Sequence, residues 1–358
     1  MRLPQLKSLR RYFPVIAFFA GFIWDALTIG QRVRTIDFWR LGIFLGGAAI
    51  LIIYLSRLSV QPQPAVADPQ ERLQHRLAGL TRLLPFLLLQ FFFGGIFSAL
   101  FILYFKSAGH VASWLGAAIL GGLLIGNEFL RDRYARQLSL TWAMFALNAI
   151  LLVNFALPYA LGSLDGRWFY VSTLGGALLT HALWRFGAAR HGRIVVAWGL
   201  AGVLLLAWQL DMIAPVPLVR KDLAIGQGFT QQSGQYVLQV ESAPAWQFWR
   251  EQSKKVHLAE GQPLYAVSAV FAPRGIAAQL EHRWEYRNEA GWQLRYRNQF
   301  QVSGGREGGF RGYSWVSNPQ PGAWRVIVAT PDGRTVAVQS FSVVRGDPAE
   351  AGVSLRRF

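Results

Sequence analysis

The sequence predicts two fold classes in one chain: an α-helical polytopic membrane bundle of about seven transmembrane helices, and a C-terminal all-β immunoglobulin-like sandwich. Three observations predict this. Of the 358 residues, 53% are hydrophobic and only 15% charged, well below the quarter or so of charged residues in ordinary soluble chains. The apolar excess lies before about residue 215, in runs long enough to cross a bilayer. Beyond Pro215 and Pro217, which stop a helix, short alternating segments recur about every ten residues. The expected organisation is a helical domain over 1–214, a linker over 215–221, a β-sandwich over 222–346 and a flexible tail over 347–358.

Taken in order, the predicted spans are Tyr12–Gly30, Phe38–Ser56, Leu83–Phe105, Val111–Asn127, Leu138–Leu161, Trp168–Phe186 and Ile194–Ile213. The first is too long for a signal-peptide core and carries Asp25, so it is expected to remain as a helix. Lys and Arg at the span ends set orientation. Arg2, Lys7, Arg10, Arg11, Arg57, Arg72, Arg76, Arg82, Arg131, Arg133, Arg136, Arg185, Arg190 and Arg193 lie on one side, against Arg32, Arg34, Arg40, Lys106 and Arg167 on the other. This bias predicts a multi-pass protein of a bacterial inner membrane with a cytoplasmic N-terminus and a periplasmic C-terminal domain. A net charge of +17 is dispersed over these ends and serves orientation and headgroup attraction. No nucleic-acid partner is expected. The lipid bilayer is the first partner, and Gly42-x-x-x-Gly46 and Gly122-x-x-x-Gly126 predict close helix contacts, within the bundle or with a second copy.

Ionisable groups within spans are costly and mark candidate sites. Asp25 sits in the outward half of the first span and Asp211 near the outer end of the last. His181 and Arg185 stand one turn apart near an inner end, and Glu128 near another. Each has a structural reading as an interhelical tie or an interfacial side chain, and a functional one in transport or lipid handling. A proton relay would need a continuous polar chain, and mid-span only Asn148, Asn154 and scattered hydroxyls offer one. A short amphipathic helix is expected after Asp68-Pro69.

The predicted strands are Tyr236–Glu241, Leu264–Phe271, Gln279–Arg287, Trp292–Val302, Phe310–Ser317, Ala323–Ala329 and Thr335–Val344. Asn288-Glu289-Ala290-Gly291 and Pro331-Asp332-Gly333 are the hairpin signals. Period-two alternation assigns Leu280, His282, Trp284 and Tyr286 to the core, with Trp292, Leu294, Tyr296 and Phe300, and with Trp324, Val326 and Val328. The opposite faces carry Arg283, Arg287, Arg295 and Arg297, a basic ribbon that suits an anionic glycan or headgroup as well as solvent. Trp246 and Trp249, beside Arg250, Lys254 and Lys255, form an aromatic cluster for packing, interfacial anchoring or binding.

No catalytic motif is found, and an intramembrane enzyme resting on Asp25 and Asp211 stands as a third reading behind binding and transport. The chain has no cysteine, no nucleophile elbow, no His-Glu-x-x-His and no phosphate loop; Ser303–Gly309 is a glycine-rich connection. His257 and His282 are too few for a zinc site, so no metal and no cofactor are predicted. The stretch Leu264–Val343, through His282-Arg283-Trp284, Tyr313-Ser314, Gly322-Ala323-Trp324-Arg325-Val326, Asp332-Gly333 and Phe341-Ser342-Val343, resembles the bacterial domain-of-unknown-function family twenty-nine-fourteen. That resemblance implies no activity. The expected role is binding or scaffolding of an envelope protein or glycan by the outer sandwich, with transport or lipid handling through Asp25 and Asp211 as the alternative.

Overall fold

The computed structural model describes residues 22–23, 25, 27, 35–58, 72–127, 129, 137–187, 192–232, 234–247, 250–306, 308–346 and 352–358. They divide into two compact units. The first comprises the chain to Phe105 with Gly116–Leu157 and Arg167–Leu210; the second takes Lys106–Leu115, Pro158–Gly166 and Asp211–Phe358.

Six helices are present among the described residues: α1 (Thr35–Leu58), α2 (Arg72–Ser107), α3 (Val111–Asn127), α4 (Leu138–Leu161), α5 (Arg167–Phe186) and α6 (Val195–Gln209). The expected seven are therefore not reached. Three segments are long and apolar enough to cross a membrane, Ile36–Arg57, Leu84–Ser107 and Leu138–Leu161, and they indicate membrane association. The others differ for physical reasons. α3 and α6 have 17 and 15 residues, short of the ~20 that a bilayer core requires, and α5 includes Arg167, His181 and Arg185. The predicted first span lies mostly outside the described residues, of which Phe22, Ile23, Asp25 and Leu27 are helical. The short helix expected after Pro69 is not separate, because helix from Arg72 continues through Pro85 into the apolar segment.

Small residues do bring the helices together, but not the predicted ones. A Cβ at Gly47 would meet the Phe92 ring at 2.7 Å, one at Gly95 the Phe44 ring at 2.7 Å, and one at Gly176 the Ile150 backbone at 2.8 Å. At Gly42, Gly46, Gly122 and Gly126 no described atom lies within 4 Å. Aromatic rings explain the difference: Phe44 and Phe92 pack 5.5 Å apart and fill the space beside the neighbouring glycines. Buried polar side chains in this unit bond both within and between helices. Ser172 donates to Asn154, Asn148 donates to the Met144 carbonyl at 2.9 Å, and Tyr104 to the Leu151 carbonyl at 3.3 Å.

The second unit is all-β, with eleven strands among its described residues: β1 (Val219–Gly226), β2 (Gly228–Gln232), β3 (Gln235–Glu241), β4 (Lys255–Leu258), β5 (Leu264–Phe271), β6 (Ala277–Asn288), β7 (Gly291–Ser303), β8 (Phe310–Val316), β9 (Gly322–Ala329), β10 (Thr335–Arg345) and β11 (Val353–Arg357). All seven predicted strands occur within one or two residues of their expected ends. The three sheets have orders β1-β5-β8, β4-β10-β9-β6-β7 and β11-β3-β2. Both hairpins form as expected, with Asn288 paired to Gly291 and Gly333 at φ 91°.

The β1-β5-β8 sheet is covered on both faces, which makes three layers rather than a two-sheet sandwich. Leu264, Ala266 and Val270 of β5 join one core with Trp284, Val326 and Phe341 of the five-stranded sheet. Val267 and Ala269 of the same strand join a second core with Leu238, Val240 and Phe358. A strand buried on both faces reads as a continuous apolar run, and Leu264–Phe271 is one. The third sheet also corrects two boundaries: residues 219–221, expected as linker, begin β1, and the expected flexible tail contains β11, antiparallel to β3 from Val353↔Glu241 to Arg357↔Val237. Phe358 is buried just beyond it, so apolar anchoring outweighs the polar character of Arg356 and Arg357.

Candidate functional site

The signature residues of the C-terminal region meet inside the β unit. His282 is fully buried, with Nε2 2.7 Å from Ser268 Oγ and Nδ1 2.8 Å from Ser314 Oγ. Trp284 Nε1 donates to the same Ser314 hydroxyl at 2.9 Å. A proton on Nε2 satisfies the chain: Trp284 donates to Ser314, Ser314 to His282 and His282 to Ser268. Burial pulls the imidazole pKa down to about 3, because the charged form has lost water and gained no carboxylate. This network ties β6 across the core to β5 and β8. It is a structural joint, closed to any ligand.

Every arginine of the predicted basic ribbon is engaged within the sheet. Arg283 and Arg297 both pair with Glu281, a carboxylate only 1% exposed. Arg287 and Arg295 are placed over the Trp292 and Tyr286 rings at 6.0 and 5.6 Å. Trp292, Leu294 and Tyr296, expected in the core, are 36%, 46% and 49% exposed. A register shift between Trp284 and Glu285 turns Leu294 and Trp292 to the face of Glu285 and Arg287, since a one-residue bulge flips every side chain beyond it; Tyr296, still opposite Trp284, is exposed because β7 is the edge strand of its sheet. Trp292 then lies under Arg325, whose guanidinium is 4.5 Å above its ring and 2.6 Å from Glu285.

Two candidate residues of the helical half, Asp25 and His181, are hydrogen-bonded to neighbouring side chains. Asp25 accepts a hydrogen bond from Ser98 at 2.8 Å beside a pocket of about 20 Å³ that Asp37, Arg40 and Phe44 also line. Such a volume holds about one water and leaves no room for a solute among the described residues. His181 accepts from Trp198 Nε1 at 3.0 Å, a tie between α5 and α6, and Arg185 is exposed. Glu128 and Trp249 lie outside the described residues. Asp211 belongs to the β unit. Its carboxylate is 3.4 Å from His110 Nε2 and accepts from the Thr335 amide at 3.4 Å, while its carbonyl is 2.8 Å from the same imidazole.

The site that sequence reasoning missed is a cleft of about 710 Å³ in the β unit, lined by Val111, Arg220, Lys221, Asp222, Leu223, Arg250, Glu251, Gln252, Lys254, Val338, Gln339, Ser340 and Arg356. Its size is that of a small-ligand pocket. Five cationic side chains face two carboxylates, and one cation holds both acids: Arg356 Nε donates to Asp222 at 2.8 Å and its terminal nitrogen pairs with Glu251. Among the described residues Arg220, Lys221, Arg250 and Lys254 form no salt bridge. Burial pushes the Asp222 carboxyl pKa up, and the Arg356 charge opposes that shift. Gln252 secures the wall by accepting from the Ile225 amide at 3.3 Å. The only advance signal was Arg250 and Lys254 beside Trp246, which is 67% exposed. Arg220 and Lys221 were placed in a linker and Arg356 in a tail, so their convergence depends on β1 and β11 forming.

Comparison with solved structures finds an immunoglobulin-like protein from Pseudomonas aeruginosa at 14% identity, covering 34% of this chain and 97% of that one with a TM-score of 0.20. A β-glucosidase from Listeria innocua matches at 14% identity over 32% of this chain, with a TM-score of 0.19. One from Bifidobacterium adolescentis matches at 10% over 34%, with a TM-score of 0.18. The chain spans 17% of the length of each β-glucosidase. No curated protein matches the chain. Residues 277–343, from the first residue of β6 to within β10, match the model of the family described as Protein of unknown function (DUF2914).

Proposed function

We propose that the chain is a multi-pass protein of a bacterial inner membrane, N-terminus in the cytoplasm, whose β unit stands in the periplasm and binds or scaffolds a cell-envelope component without catalysing a reaction. The observation that carries this reading is the basic cleft, whose lining has five cationic side chains against two carboxylates. An arrangement of that kind attracts an anionic group. The Lys and Arg bias at the span ends supports the orientation.

The absence of cysteine makes a clean test available. A single Glu289→Cys, in the exposed β6–β7 turn, is expected to react with a membrane-impermeant maleimide in cells with a permeabilised outer membrane. Labelling only after the inner membrane is broken would refute the orientation. Envelope proteins and glycans that copurify with the full chain are then identified beside those of a chain with Gln at 220, 221, 250 and 254. Identical sets from the two would remove the cleft from the function.

A further inference from the structure

We propose that the cleft is a site for the phosphate of an anionic phospholipid headgroup from the bilayer that holds the chain. This rests on reading the chain as membrane-embedded, and it names the ligand chemistry of the site described above. Phosphate suits the donor set: Arg220 and Arg250 present planar forks that match tetrahedral oxyanions, and Lys221 and Lys254 add compact charges. Asp222 and Glu251, bonded by Arg356 and also close enough to act on Arg220, offset only two of the five cationic charges of the lining. Lys221 is steadied by the Phe271 ring, 5.5 Å from its ammonium, so part of its ordering cost is met before a ligand arrives.

The wall composition favours a lipid over a soluble anion. Val111, 79% exposed, is both a lining residue of the cleft and the first residue of the apolar helix α3. An apolar helix start beside cationic side chains has the composition of a surface that meets headgroup and acyl chain together. Exposed Val111 gives acyl chain or glycerol a surface beside the cations. β1 supplies three more charged lining residues, and its Arg220 comes only eleven positions after Gln209, the last residue of apolar α6.

The test uses the full chain in an uncharged detergent, with bound lipid read by native mass spectrometry across titrations of phosphatidylglycerol and phosphatidylcholine. Inorganic phosphate is the competing soluble anion. Phosphatidylglycerol is expected to bind at least about tenfold more tightly than phosphatidylcholine. Arg220→Gln with Lys221→Gln, and separately Arg250→Gln with Lys254→Gln, are each expected to weaken it on the order of tenfold to thirtyfold. Arg345→Gln, at the far end of β10 where its guanidinium bonds Ala259 and Asn318, is the control and leaves binding unchanged. Equal binding of the two lipids, or equal loss in the control, overturns the proposal. Displacement of phosphatidylglycerol by an equal concentration of inorganic phosphate also overturns it, in favour of a soluble-phosphate site. The maleimide test fails or succeeds independently: a cytoplasmic β unit that still selects phosphatidylglycerol would refute the orientation and keep the lipid site.

Discussion

Replacing His282 by Asn removes one buried titration, and the consequence follows from the core. The folded imidazole has a pKa of about 3 against an ordinary 6.5. Between those values the unfolded chain binds a proton that the folded chain refuses, so stability rises with pH across that window and falls as pH drops. At ~1.4 kcal/mol per pH unit, the wild-type β unit loses about 2 kcal/mol on going from pH 6.5 to pH 5 and roughly 4 kcal/mol by pH 3, where the folded ring itself begins to take up the proton. Above pH 6.5 the contribution is complete. His282→Asn abolishes that slope and, at pH 8, costs about 2–4 kcal/mol, because the Ser268 and Ser314 hydroxyls lose their partner in a dry core and a cavity is left. Pulse proteolysis of the full chain in urea and uncharged detergent, following survival of the β-unit fragment at pH 8, 6.5 and 5, reads both quantities. The same pH slope in wild type and variant would refute the argument that the neutral ring is what the fold selects.

Glu281→Gln leaves Arg283 and Arg297 without their shared carboxylate and is expected to cost about 1–3 kcal/mol, measured as a lower urea midpoint at pH 7. Arg356→Ala releases Asp222 and Glu251 and weakens the hold on β11; faster amide exchange at 353–357 with unchanged exchange in β9 checks it. Gly176→Ala drives a methyl into the Ile150 backbone and should destabilise the helical unit by about 1–3 kcal/mol. Gly42→Ala, which meets open space, should leave it within about 0.5 kcal/mol, as read by thermal melting in detergent.

Much of the fold is legible in the residues because it is local. Apolar runs of bilayer length announce Ile36–Arg57, Leu84–Ser107 and Leu138–Leu161, and alternation with turn residues announces β5 to β10. The hairpin at Asn288–Gly291 requires a glycine, which adopts φ 108° there. The His282 core position was legible from Leu280-x-His282-x-Trp284 alternation. The face of Trp292 and Leu294 was not, since alternation cannot announce the bulge that reverses it. Gly-x-x-x-Gly spacing did not point to the contacts seen between described helices, at Gly47, Gly95 and Gly176, because the large residues beside them decide which glycine is approached.

Composition and periodicity alone determined that the chain joins apolar helices to an all-β region, and that cysteine chemistry is absent. Only tertiary structure decided that the β region has three sheets, that its last residues form a strand, and that Arg220, Lys221, Arg250, Lys254 and Arg356 surround one cleft. The physical reason is range. Helix and hairpin signals act over a few neighbouring residues, whereas the cleft joins side chains 134 positions apart, as Asp222 and Arg356 are, through sheet pairing that no local pattern encodes.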